Sequence, residues 1–155
     1  MSAEARIEEL GITLPEPMRP TANYVPAVRT GNLLFLSGAG PIGEDGRPIR
    51  GRLGDTMSVG GGQAAARLVA LQLLAVLRQE LGSLDRVRRI VKLLCMVNST
   101  PDFGQQPQVA NGASDLFVDV FGEAGRHARS AVGMASLPMG IPVEIEMIVE
   151  VEDAH

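Results

Sequence analysis

The 155-residue chain contains no tryptophan, one tyrosine, four phenylalanines, one cysteine and two histidines. With so few rings the core must be aliphatic, built from Leu, Val, Ile, Ala and Met. The same scarcity leaves no row of aromatic platforms on which bases could stack. The net charge is −4, and the 14 basic residues are scattered apart from the Arg86–Arg89 stretch. Without a basic stripe, nucleic acid is not an expected partner. Cys95 cannot form an internal disulfide, which suits a reducing cytosol. The opening MSAEARIEEL carries acidic residues and no apolar centre, so it does not read as a secretory signal. No apolar run approaches the ~20 residues that span a bilayer. A soluble, cytoplasmic protein without a membrane partner is expected. His127 and His155 are too few and too far apart to build a transition-metal site with Cys95, and no G-x-S-x-G elbow occurs. No transition-metal site is therefore expected.

What is present fits one domain, since a chain of this size can bury most of its apolar surface around a single core. Residues 1–12 suit a short amphipathic helix with Ile7 and Leu10 on one side. The run Leu14-Pro15-Glu16-Pro17-Met18-Arg19-Pro20 blocks regular structure. Residues 1–21 are thus expected to form a helix and extended arm, and residues 22–153 the domain. Residues 24–29 and 32–37 form a hairpin about Thr30-Gly31-Asn32, with Leu33-Leu34-Phe35-Leu36 expected to be buried on both faces. Gly38 and Gly40 suggest a bend or the close approach of another group.

A helix is predicted over 59–81, capped by Ser58 and ended by Gly82, with Leu68, Leu71 and Ala75 on its stripe. The triple glycine 60–62 reads as a frayed end or as a place of close packing or anion approach. A strand follows over 87–97. A second helix starts near Gln106, with Val109, Ala113, Leu116 and Val120 facing inward. Strands over 129–136 and 143–152 complete the order ββαβαββ. In the last strand Val143, Ile145, Met147, Val149 and Val151 share one face, and Glu144, Glu146, Glu150 and Glu152 the other. The pattern describes an α+β fold, a mixed sheet with two helices packed on one face.

Arg129 offers a rigid fork that can grip a carboxylate with two hydrogen bonds, or else a structural ion pair, for instance with Glu144. Glu144 is either a general base or one of four solvated glutamates. Tyr24 is either a pocket residue or an amphipathic residue at a strand edge. Cys95 lies in an apolar strand, where a buried thiol is normally inert.

Two stretches carry a family resemblance. ARSAVGMASLP followed by PVEIEMIVEV, and YVPAVRTGNLLFLSGAGPI at residues 24–42, resemble the signature blocks of the YjgF/YER057c/UK114 family, also called the Rid (reactive intermediate deaminase) family. With the elements between them the resemblance spans roughly residues 22–152. It implies a chorismate mutase-like fold, a homotrimer with clefts between neighbouring subunits, and hydrolysis of small reactive enamines or imines, such as 2-iminoacids, to keto acids and ammonia without a metal or organic cofactor. By that resemblance Arg129 holds the substrate carboxylate and Glu144 assists the attacking water. Tyr24, Ser37, Gly38, Asn111, Ser130 and Ala131 line the pocket.

The chain also departs from the family pattern. Ala131 stands where cysteine is common, His127 where proline is usual two residues before the arginine, and FGEAGRH is inserted before it. Glycines 60–62 replace acidic residues at the start of the first long helix. These departures suggest a different substrate. A non-catalytic trimer that binds a small carboxylate is the alternative, and an endoribonuclease the third reading.

Overall fold

In the computed structural model, which describes residues 1–20 and 22–153, eight main elements follow one another. They are α1 (Ala3–Glu9), β1 (Ala27–Thr30), β2 (Leu33–Ala39), α2 (Val59–Leu81), β3 (Val87–Asn98), α3 (Gln106–Phe121), β4 (Ala128–Met134) and β5 (Val143–Val151). From β1 onward this is the expected ββαβαββ order, and α1 makes a third helix in front. The strands form one mixed sheet in the order β1-β2-β5-β3-β4. All neighbours are antiparallel except β3 and β4. A parallel pair needs a crossover, and α3 supplies it.

The alternation in β5 sets the layers. Val143, Ile145, Met147, Val149 and Val151 are each no more than 2% exposed. They meet α2 and α3 through a core that includes Ala66, Val69, Leu73, Leu77, Val109 and Leu116. At about 1.5–3 kcal/mol per buried aliphatic side chain, the five β5 residues contribute on the order of 10 kcal/mol before chain entropy is subtracted. Among the described residues nothing covers the opposite face of the sheet. Phe35 is 40% exposed there, with Val28 and Val132 more open still. The expectation that β2 is buried on both faces is therefore corrected. Leu34 and Leu36 are buried, but no second layer lies over Phe35.

The N-terminal segment is tied to this core through charge. Ser2 Oγ caps α1 by accepting from the Ala5 N–H at 3.2 Å. Glu4 accepts from Arg78 Nη2 at 2.6 Å and from the Leu84 N–H at 2.8 Å. Ile7 is buried, whereas Leu10 is 45% exposed, because α1 ends at Glu9 and Leu10 is its cap. The expected partnership of Ile7 with Leu10 is thus only half realised.

α2 begins and ends where predicted, with Ser58 Oγ accepting from the Gly61 N–H and Gly82 in the left-handed region at φ 82°. By length and composition it could cross a membrane, but half of it is buried in this core, so it is a core helix. Of the three glycines, Gly62 shows the close-packing reading. A methyl there would lie 3.0 Å from Leu53 Cδ1 and 3.1 Å from Val109 Cγ2. Gly112 of α3 is more constrained, since a Cβ would collide with the backbone carbonyl of Gln63.

Gly112→Ala should destabilise the protein by about 1–3 kcal/mol, because the helices must separate. Gly60→Ala meets only Ser58 Oγ, at an ordinary 3.9 Å, and should stabilise by about 0.5–1 kcal/mol. Urea denaturation of the two variants checks both signs.

Candidate functional site

The residues singled out above fall into two groups. The first lines a cavity of about 420 Å³ that includes Tyr24, Ser37, Gly38 and Glu144. β1 begins only at Ala27, opposite Leu36, and β2 breaks register between Leu36 and Ala39. The break turns Ser37 and Gly38 into the cavity wall. A Cβ at Gly38 would meet the end of the Glu144 side chain, so the carboxylate lies close over this backbone. The close approach anticipated at this glycine is thus made by Glu144. Ser37 is held by the arm, its N–H donating to Pro26 O at 2.9 Å and its hydroxyl to Val25 O at 2.7 Å. Tyr24 precedes β1 and is 49% exposed.

Burial, and next the neighbouring Glu146, push the Glu144 carboxyl above its ordinary range. A carboxylate shifted in that direction is better suited to passing protons near neutrality. Across the cavity Met139 adopts φ 58°, a left-handed conformation that costs a side-chain-bearing residue about 1–2 kcal/mol. Such strain is characteristic of ligand-binding rims.

The second group surrounds Arg129. Its Nη1 donates to Asn111 Oδ1 at 2.8 Å and to Ser114 Oγ at 3.0 Å. Both Nη1 protons are thereby used. Nε and Nη2, one edge of the guanidinium fork, have no partner among the described residues. Ser114 Oγ also lies 2.9 Å from His127 Nε2, and His127 Nδ1 lies 2.7 Å from Gly125 O. A carbonyl only accepts, so Nδ1 carries the proton and Nε2 accepts from the Ser114 hydroxyl. Ser114 is then oriented with its lone pairs toward Arg129. Burial lowers the His127 pKa, the Gly125 carbonyl opposes that, and Arg129 adds to it. His127 is therefore held neutral beside the guanidinium.

The two groups do not meet within one chain. Arg129 pairs with Leu93 and Glu144 with Met96 on β3. They are three residues apart along β3, about 10 Å, and lie on strands flanking it at ~4.8 Å each. They also face opposite ways, Arg129 toward the helices and Glu144 toward the open side. No Arg129–Glu144 ion pair occurs among the described residues. Ser130 faces the open side, where Lys92 Nζ donates to its hydroxyl at 3.2 Å. Ala131 faces the helices beside Cys95. Burial pushes the Cys95 thiol up to about 12, with the Arg129 charge pulling the other way, so the thiol is inert. Among the described residues no three His, Cys, Asp or Glu side chains gather to hold a metal. His155 lies outside the described residues.

A sequence model described as "YjgF/chorismate mutase-like, putative endoribonuclease" matches residues 4–150. The chain belongs to the YjgF/YER057c/UK114 family. It is 49% identical to protein TCP17 of Trypanosoma cruzi over 150 residues, 96% of this chain and 94% of that protein. Its fold superposes with a TM-score of 0.93 on a structure from Shewanella oneidensis described as an endoribonuclease. The two are 33% identical, and the match covers 97% of this chain and all of the other. RidA from an Antarctic Psychrobacter is a more distant neighbour, with TM-score 0.62 and 25% identity over 90% of this chain and 98% of that one.

Within this YjgF-family fold, sequence reasoning missed Ser114, Gln72 and Met139. Ser114 stands three residues after Asn111, so helical spacing alone could have placed both on the face that meets Arg129.

Two pH dependences follow. The folded pKa of His127 is below its ordinary value of 6.5, so the stability it contributes is complete above that value and is lost as pH falls. His127→Gln should flatten this acid-side slope in thermal melts. The folded pKa of Glu144 is raised, so its charge opposes folding at neutral pH. Glu144→Gln should melt higher than the native protein at pH 7, with the gain vanishing below its ordinary pKa.

Proposed function

We propose that this protein hydrolyses small 2-iminoacids to 2-oxo acids and ammonia in a homotrimer, with the Arg129 group of one subunit facing the Glu144 cavity of the next. The observation that carries this reading is the separation of the two half-sites. One has a carboxylate-binding fork with a free edge, and the other has a half-buried carboxyl over a glycine in a largely apolar cavity. Neither is complete alone, and the uncovered sheet face with Phe35, Val28 and Val132 gives a second subunit an apolar surface to cover. Family membership and the RidA neighbour support the same chemistry.

In this mechanism the free edge of Arg129 holds the substrate carboxylate and keeps the C=N carbon beside Glu144. A water oxygen adds to the carbon of the protonated imine while Glu144 takes one water proton, giving a neutral carbinolamine. Glu144 returns that proton to nitrogen, the C–N bond breaks to release ammonia, and the hydroxyl gives its proton to Glu144 as C=O forms. The imine is already electrophilic, so positioning with modest proton transfer suffices.

The endoribonuclease description of the Shewanella neighbour raises RNA cleavage as another reading. Here Arg19 is the only cationic side chain among the described residues of the cavity wall, and His127 is committed to Ser114 and Gly125.

The deciding assay is ammonia release from freshly generated 2-iminoacids. Arg129→Ala should lower kcat/KM by about 100-fold, the cost of losing a charge-assisted bidentate contact. Arg129→Lys should recover only part of it. Absence of ammonia across a broad panel would replace the enzyme with a carboxylate-binding protein. Unchanged activity in Arg129→Ala would remove Arg129 from the site.

A further inference from the structure

We propose that Gln72 forms a polar subsite on the α2 side of the cavity, selecting ligands whose side chain is apolar along its length and ends in a neutral hydrogen-bond donor such as a hydroxyl. This rests on the reading above for the ligand's carboxylate end and adds what the other end must look like.

Among the described residues Gln72 is one of three buried polar ones, at 5% exposure. It sits on the core side of α2, where Val69, Leu73 and Val76 are its helical neighbours. Nothing in the fold uses its amide oxygen: Oε1 is buried and has no hydrogen-bond partner among the described residues. Arg52 Nε and Thr100 Oγ1 share that condition, but of the three residues only Gln72 lines the cavity. A buried acceptor without a donor lowers stability, and a leucine or methionine would fit the same apolar stripe without that cost. The missing donor is accounted for if the ligand brings it. The last torsion of a glutamine is soft, so Oε1 can turn toward the cavity when a donor arrives.

The surroundings define the ligand further. Leu73 and Val76 flank Gln72 on the α2 wall, and Ile42, Ile141 and Met139 continue an apolar lining. The reactive end belongs by Glu144, on β5. A charged end group beside α2 would find no counter-ion, because the α2 wall offers only Gln72, Leu73 and Val76. A hydroxyl at the end of an aliphatic or aromatic side chain satisfies both the apolar walls and the lone amide oxygen.

The test uses stable 2-oxo acids, so that binding is read without turnover. Calorimetry compares 2-oxohexanoate with 5-hydroxy-2-oxopentanoate, and phenylpyruvate with 4-hydroxyphenylpyruvate. The native protein should favour the hydroxylated member of at least one pair by about ten-fold. Gln72→Leu and Gln72→Met should erase that preference, bind the apolar member at least as well, and melt higher than the native protein. Equal affinity within both pairs, no binding of any of the four, or a preference that survives both substitutions would overturn the proposal. Failure of the ammonia assay alone would leave it standing, since these ligands do not react.

Discussion

Burial of the aliphatic face of β5 against α2 and α3 is the contact on which the rest of this structure depends. Five alternate residues, from Val143 to Val151, are sealed on one side of the sheet. Period-2 geometry then forces Glu144 to the other side. The same sheet carries Arg129 on edge strand β4 in the register of buried Leu93, which turns the guanidinium toward α3. The fold thus separates the acid from the cation across its own thickness. A chain built this way exposes two incomplete half-sites and one bare sheet face, and the proposed assembly joins them.

Each half-site is held by short-range constraints. At Glu144 the constraint is close approach: the carboxyl lies over the Gly38 backbone, where a Cβ would push the end of the side chain aside. At Arg129 it is a directed series of hydrogen bonds, from the Gly125 carbonyl through His127 and Ser114 to the guanidinium. The inserted segment before β4 supplies Gly125 and His127 to that series. A proline in place of His127 would leave Ser114 without its acceptor. The chain has thereby traded a rigid backbone position for a side-chain contact that orients the arginine.

Much of the fold was legible because it rests on local rules. The Ser58 and Gly82 caps bounded α2, and the alternation of 143–151 showed which face is buried. The stripe Val109, Ala113, Leu116 and Val120 placed α3 against the sheet. What was not legible depends on long-range register. Leu33 to Leu36 reads as continuously apolar, and only the absence of a second layer reveals that Phe35 is open. Arg129 and Glu144 stand out in the family-like blocks, but their opposite facing follows from pairing with Leu93 and Met96, which sequence spacing does not contain. Gln72 sits in an apolar helix with no motif around it, and its unpartnered oxygen is visible only once the cavity is formed.

The central claim, that one site is assembled from Arg129 of one subunit and Glu144 of another, has a direct test. Arg129→Ala and Glu144→Ala proteins are each assayed for ammonia release, then mixed, unfolded together and refolded so that subunits exchange. Each variant alone should be nearly inactive. In equal mixtures about a quarter of the sites in a cyclic trimer would pair an intact arginine with an intact glutamate, and activity should return to about that fraction of the native value. If mixed and unmixed samples are equally inactive while light scattering shows exchanged trimers, the shared site is contradicted.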